Sequence, residues 1–244
     1  LSSRDFTIDA MAISLDEVAS GPSMFPVIDP WGGRRDMEKK SIRAVSQRIF
    51  EDDPARLLRG VRLAAEYGFN IESNTEGLIR SHAPLASRVA GERIREELVR
   101  LLALPRGAAT LFYLDKLGLL TALLPELAAA KGVAQPAEHY WDVFEHSLRT
   151  VEAAELLIEK RDAGGGMRGP TSYVSHLISQ KALAAHFGQT VGMTPRRVLV
   201  KLAALLHDVA KPQTRSVEST GRIRFLGHGQ EGAEVAVAVL ERWR

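Results

Sequence analysis

The chain has 244 residues, 45% of them hydrophobic and 25% charged, enough apolar material for one or two cores and far from the composition of a disordered chain. Lys and Arg number 32 against 30 Asp and Glu, so a net charge of +2 identifies no partner by itself. The absence of cysteine excludes disulfides and thiolate metal sites, and no apolar run reaches membrane-spanning length, so a cytoplasmic protein with no membrane partner is expected.

The first thirty or so residues read as strands. Phe6–Ile13 alternates in part, Met24–Ile28 follows the Gly21-Pro22 turn signal, and Asp29-Pro30-Trp31-Gly32-Gly33 closes the region. From Arg35 onward the pattern predicts helices at Asp36–Lys40, Pro54–Tyr67, Thr75–Ala83, Gly91–Leu104, Arg106–Leu117 and Leu119–Leu127. A loop-like stretch at Gly132–Pro136 marks a boundary. Beyond it come helices at Trp141–Lys160, Tyr173–His186 and Pro195–Lys211, with a Gly-rich linker at Gly164–Gly166. A hairpin is expected from Thr214 to Phe225, turning at Ser219-Thr220-Gly221, and a last helix from Glu231. The chain starts without Met and stops inside a helical pattern, so both ends are expected to be cut from something longer. The fold class is mainly α with a few strands at the start.

Arginines crowd the stretch from Arg34 to Arg106, which suggests a local anionic partner. Within it, Asp53, Arg56, Arg59 and Arg62 lie three apart, and residues three apart on a helix share a face. An acceptor (Asp53) beside a fork of donors (Arg56) complements the amine and ring nitrogen that adenine and cytosine share on the Watson–Crick edge. Guanine and uracil reverse that polarity and would leave polar groups unpaired. A surface helix with i, i+3 ion pairs gives the same spacing.

Four segments carry a family resemblance. Arg4-Asp5-Phe6-Thr7, Asp29-Pro30-Trp31-Gly32-Gly33-Arg34-Arg35-Asp36, Glu51–Arg62 and Gly91-Glu92-Arg93-Ile94-Arg95 resemble, in order, four motifs of the class II tRNA nucleotidyltransferases, the group of CCA-adding enzymes and bacterial poly(A) polymerases. The last motif usually begins with Ser where this chain has Gly91, and Ser2-Ser3 stand where another arginine is common. The resemblance implies that Asp5 selects the ribose hydroxyls and that Arg4 contacts the triphosphate, although a strand-end ion pair is also open to Arg4. It implies that Asp53 and Arg56 pair with the incoming base, and that Arg59 and Arg62 support that face or reach phosphate. Glu92 and Arg93 would brace the base-reading helix, and Gly32-Gly33 would form a hinge or an ordinary tight turn. The family's Mg2+-binding carboxylates precede the Arg-Asp-Phe-Thr strand and are expected upstream of Leu1, so no catalytic residue is assigned in this chain.

Farther along, Glu145-His146-Ser147-Leu148, His207-Asp208-Val209-Ala210-Lys211 and Gly227-His228-Gly229 resemble the HD-type metal phosphohydrolase domain. That resemblance implies a divalent metal (Mn2+, Ni2+ or Mg2+) held by His146, His207 and Asp208, with His228 joining them or facing phosphate. Lys211 would neutralise substrate phosphate, or Asp208 would simply pair with Lys211. The family's distal Asp has no convincing counterpart here. His82, His139, His176 and His186 are expected to be ordinary surface or packing residues.

The implied organisation is the end of a nucleotidyltransferase head over 1–33, a helical neck over 34–105, a helical body over 106–138 and a partial HD domain over 139–244. The whole enzyme would use Mg2+ to add CMP and AMP, or AMP alone, from CTP and ATP to the 3′ end of tRNA. Arg100, Arg106 and Lys116 would be available to RNA phosphates. A poly(A) polymerase is the alternative within the family; an HD phosphohydrolase with a non-catalytic nucleotide- or RNA-binding N-terminal part lies outside it. Oligomeric state is not legible in the sequence.

Overall fold

The computed structural model describes residues 1–15, 26–136, 138–159 and 180–244. The described residues fall into two compact units, Leu1–Val89 with Leu117–Ala122, and Ala90–Lys116 with Leu123–Arg244. These units cut across the four segments read from the sequence. The Gly164–Gly166 linker, His176 and the Gly21-Pro22 turn lie outside the described residues.

In the first unit the strand predicted over Phe6–Ile13 is interrupted. Asp9 N and Ala10 N donate back to the carbonyls of Phe6 and Thr7 (3.0 and 3.1 Å), which forms a 3-10 turn over Thr7–Asp9 and takes those donors out of any ladder. β1 (Ala12–Ile13) and β2 (Val27–Ile28) pair antiparallel, and Phe6 makes an isolated antiparallel bridge with Ala44. Helix α1 (Gly33–Glu38) starts three residues before the predicted Asp36 because Asp29 caps it, its two carboxylate oxygens accepting from Gly33 N (2.6 Å) and Arg34 N (3.0 Å). Those bonds hold the Asp29 carboxyl below the usual range. Gly32, at φ 73°, supplies the left-handed residue that aims the chain into α1.

The hinge motif is therefore stapled. Buried Asp36 accepts from Thr7 Oγ1 (2.6 Å) and Arg43 Nε (2.9 Å), and Arg43 Nη2 donates to the Trp31 carbonyl (2.5 Å). Strands β3 (Ser41–Ile42) and β4 (Asn70–Ile71) pair in parallel. Between them lie the short α2 (Ile49–Asp52) and α3 (Arg56–Tyr67). α3 buries Leu57, Leu58, Val61 and Ala64 and packs against β3, β4 and α2. A Cβ at Gly60 would stand 2.7 Å from the Phe6 ring, so the missing side chain is what lets fully buried Phe6 lie on α3. Glu72 caps α4 (Ser73–His82), accepting from Asn74 N, Thr75 N and Thr75 Oγ1 at 2.8–3.0 Å.

The second unit opens with α5 (Gly91–Ala103) and α6 (Gly107–Lys116). The helix predicted over Leu119–Leu127 is two, α7 (Leu119–Leu123), nearly all of it in the first unit, and α8 (Pro125–Ala128) in the second, because Pro125 lacks the N–H that would continue the first. The leucines from Leu111 to Leu127 are buried core, as their spacing predicts. Helix α9 (Val143–Glu159) packs along α6 and along α11 (Arg196–Leu206); α10 (Gln180–Gly188) and a small hairpin of β5 (Thr190–Val191) and β6 (Thr194–Pro195) precede α11.

One buried ion pair ties four of these helices together. Lys201 Nζ on α11 donates to Glu155 Oε1 on α9 (2.5 Å) and to the carbonyls of Leu102 (2.8 Å) and Leu104 (3.2 Å) at the end of α5. Glu155 in turn accepts from Gly107 N (2.7 Å) and Ala108 N (3.3 Å) at the start of α6. Each charge thus meets the helix terminus of opposite polarity. The helix predicted to reach Lys211 ends at Leu206; a turn follows, and α12 (Lys211–Thr214) restarts with Pro212 in its first turn. The expected hairpin is present as β7 (Arg215–Val217) and β8 (Ile223–Phe225), and α13 (His228–Arg242) begins three residues before Glu231.

Candidate functional site

The row of residues expected to read the base is gathered at the start of α3, although not as one helical stripe. α3 starts at Arg56 and not at Pro54; Asp53 is extended (φ −151°), and its Oδ1 accepts from Ala55 N (3.2 Å). The Arg56 guanidinium stands 3.7 Å from Asp53 Oδ2, with both side chains partly exposed at 20% and 27%. Arg56 Nη2 also donates to the Ser3 carbonyl (2.9 Å), which fixes the fork beside the carboxylate. An acceptor and a donor fork therefore stand side by side and accessible.

The rest of the row is committed elsewhere. Arg59 reaches Asp5 Oδ2 (3.0 Å) and Asp9 Oδ2 (3.7 Å). Asp5 is 5% exposed and also accepts from Phe6 N (3.0 Å), so its carboxylate faces Arg59 and the backbone instead of open solvent. Arg62 is 3% exposed and ion-paired with Glu66 one turn along α3. It supports the helix from inside, and its burial is incompatible with the phosphate contact that was one of its expected roles. Arg4 is exposed, and its Nε donates to the Asp9 carbonyl (3.0 Å). Asp9 was missed in the sequence; burial and the neighbouring Asp5 push its carboxyl up, against the pull of Arg59. Its spacing of four from Asp5 was the available signal. Glu92 and Arg93 are exposed in the first turn of α5, in the other unit from α3.

The histidine cluster converges on one carboxylate. Asp208, 3% exposed, lies just after α11; His146 comes from α9 and His228 from the first residue of α13. The Nε2 atoms of His146 and His207 stand 3.5 and 3.0 Å from Asp208 Oδ2, and His228 Nε2 stands 3.6 Å from Oδ1. Ligand atoms of His146, His207 and Asp208 all lie within 4.8 Å of one another. Nδ1 of His207 faces the Ala204 carbonyl (2.8 Å) and Nδ1 of His228 the Phe225 carbonyl (2.6 Å). A carbonyl can only accept, so each Nδ1 carries the proton, and each Nε2 lone pair then points at the carboxylate.

Acceptors facing an acceptor repel unless a cation or a shared proton lies between them. The Asp208 carboxylate beside His207 raises that imidazole, while burial lowers His146. Burial pushes Asp208 up, but His207 and Lys211 outweigh it and hold the carboxyl well below the usual range. Two preset imidazole nitrogens, a third on α9 and the Asp208 carboxylate fit a borderline divalent cation.

Lys211 does not face outward. It is 7% exposed, with Nζ 2.7 Å from Asp208 Oδ2 and donating to Gln135 Oε1 (2.7 Å), so it fixes the carboxylate instead of presenting a free ammonium to substrate. His139, expected to be an ordinary surface residue, stands edge-on to the His146 ring at 5.2 Å between centroids.

The family model for the probable RNA and SrmB-binding site of polymerase A matches residues 68–131, and the HD domain model matches residues 143–244. An A-adding tRNA nucleotidyltransferase of Deinococcus radiodurans is 32% identical over 99% of this chain and 47% of its own length. A CC-adding tRNA nucleotidyltransferase of Thermus thermophilus is 35% identical over 86% of this chain and 42% of its own length. The chain belongs to the tRNA nucleotidyltransferase/poly(A) polymerase family.

It spans about half the length of the curated family members it matches. A tRNA-processing enzyme in apo form superposes with a TM-score of 0.58 at 20% identity, over 99% of this chain and 54% of the other. A tRNA nucleotidyltransferase complexed with a primer tRNA and an incoming ATP analog gives 0.57 at 21% identity, over 98% and 55%. These likenesses establish the family's mostly helical fold with its HD domain.

Proposed function

We propose that this chain is the base-selecting and tRNA-holding portion of a cytoplasmic CCA-type tRNA nucleotidyltransferase. In this reading the intact enzyme transfers CMP and AMP from CTP and ATP to the 3′ end of tRNA. The observation that carries it is the partly exposed Asp53 carboxylate beside the Arg56 fork, tethered by the Ser3 carbonyl. Asp53 accepts from the exocyclic amine of adenine or cytosine, and Arg56 donates to the adjacent ring nitrogen. Arg59 spans from α3 to Asp5 and Asp9 and keeps the ribose-facing segment in register with the base-reading turn. Mg2+ would supply charge neutralisation at the triphosphate, and the residues of this chain would bind and orient the nucleotide.

The test uses full-length protein with tRNA ending before CCA and with CTP and ATP given separately. Arg56→Ala should raise the KM for both nucleotides by about tenfold or more, the value of a hydrogen bond in a fitted site, with tRNA affinity unchanged. Unchanged nucleotide use by the variant would refute the assignment. Long A tails on arbitrary RNA would favour a poly(A) polymerase instead.

A second activity is favoured by the three Nε2 atoms turned toward Asp208. His146, His207 and Asp208 would hold a divalent metal, with His228 beside them. Such a metal would supply an activated water for attack on a phosphoester. The protein's own work is orientation: the Ala204 and Phe225 carbonyls set the imidazole tautomers, and Lys211 locks the carboxylate.

A further inference from the structure

If Lys211 is spent on Asp208 and Gln135, a phosphate group at the HD centre needs another partner. The loop before α9 supplies one. Buried Gln135 accepts from Lys211 Nζ (2.7 Å) and donates through Nε2 to the Trp141 carbonyl (3.1 Å), so the loop is fastened to the same lysine that holds the metal-site carboxylate. Its far end is fastened as well. Asp142 accepts from Gly132 N and Glu145 N (both 2.7 Å), and Val143 N donates to the Val133 carbonyl (3.1 Å). Between these anchors His139 is exposed, with its ring perpendicular to His146 at an interplanar angle of 84°. The His146–His207–Asp208 group does not include it, so it stands beside the candidate ligands and not among them.

We propose that His139 is a substrate-binding residue of the HD centre, donating an imidazole N–H to a non-bridging oxygen of a phosphoester whose phosphorus group lies at the metal. This rests on the metal-site reading above. His139 is exposed and its ring centroid stands 5.2 Å from that of His146, one of the candidate ligands. Lys211 cannot serve there without releasing the buried Asp208 carboxylate, at the cost of an unpaired charge. The role is binding and positioning of the anion, with no proton transferred.

Full-length protein loaded with Mn2+ or Ni2+ is assayed with p-nitrophenyl phosphate, and inorganic phosphate is titrated as a competitor. His139→Ala should raise KM and the phosphate inhibition constant by about tenfold, the usual loss for one hydrogen bond to an anion, with kcat within about threefold. Metal affinity by calorimetry should be unchanged, and His139→Gln, which keeps an N–H donor, should recover most of the KM. An unchanged KM in His139→Ala, while the wild-type protein turns over, overturns this role and leaves the metal site standing. Weakened metal affinity would overturn it in favour of a ligand role. A metal-loaded wild-type protein with neither turnover nor phosphate inhibition refutes the HD reading and this inference together.

Discussion

Replacing Lys201 by Met removes the one cation that joins α5, α9 and α11. Lys201 is 1% exposed and Glu155 7%, so water cannot take over their lost contacts. Breaking one partner of a buried pair costs about 3–5 kcal/mol. Met keeps most of the side-chain volume, which removes any large cavity contribution. Glu155 retains two backbone donors at the start of α6, but the Leu102 and Leu104 carbonyls lose theirs. The lower part of the range, about 3 kcal/mol, is expected. At about 2–4 °C per kcal/mol for a chain of this size, the Tm should fall by roughly 6–12 °C. Scanning calorimetry on Lys201→Met, Glu155→Gln and the double variant gives the answer. The double variant should be less damaged than the sum of the singles, because the glutamine carbonyl still accepts from Gly107 N without an unbalanced charge. Since α9 carries His146 and α11 leads into His207-Asp208, Mn2+ affinity should drop with stability. A Tm shift below about 2 °C, or strict additivity, would refute the view of this pair as a dry junction.

Two further outcomes are expected. Glu72→Ala should cost about 1 kcal/mol as a lost helix cap. Burial pushes the Glu72 carboxyl up, but the Thr75 and Asn74 donors outweigh it and leave it low. Its contribution is therefore full above the unfolded value near pH 4.3 and is lost as pH falls through the lower folded value. Urea midpoints between pH 6 and pH 3 should show a shallower acid decline for Glu72→Ala, and identical slopes would contradict this. His207→Ala should abolish Mn2+ or Ni2+ binding and any phosphatase activity while leaving nucleotide addition by the full-length protein within about twofold of normal. A proportional loss of nucleotide addition would show that the two activities are not independent.

Helix identity was legible wherever leucines recur at helical spacing, because burial demands that period: α3, α5, α6 and α9 lie close to their predicted spans. Boundaries failed where a side chain outside the helix decides its start, as Asp29 does for α1. The row of charges at Asp53, Arg56, Arg59 and Arg62 was legible as a constellation and illegible as a face. Spacing says nothing about burial, and only the structure turns Arg62 inward and lends Arg59 to Asp5 and Asp9. The HD cluster could be assembled from residue types because imidazoles and a carboxylate have few other reasons to adjoin. Lys211 turns inward where an outward ammonium was expected, since a lysine three residues after an aspartate can bend back to it.

Gly91 stands where the family motif usually has Ser, and the space it leaves is already taken. A Cβ there would come 1.9 Å from the Arg242 carbonyl and 2.9 Å from Trp243 Cα, so the last turn of α13 rests on bare backbone at the start of α5. Arg242 also clamps Glu126 through two bonds of 2.7 and 3.1 Å. Chimeras that graft a foreign HD module after residue 142, or a foreign N-terminal half before it, would inherit mismatched partners at this seam. Restoring serine at position 91 alone would pry the seam open, and exchanging both sides as a matched set would be required.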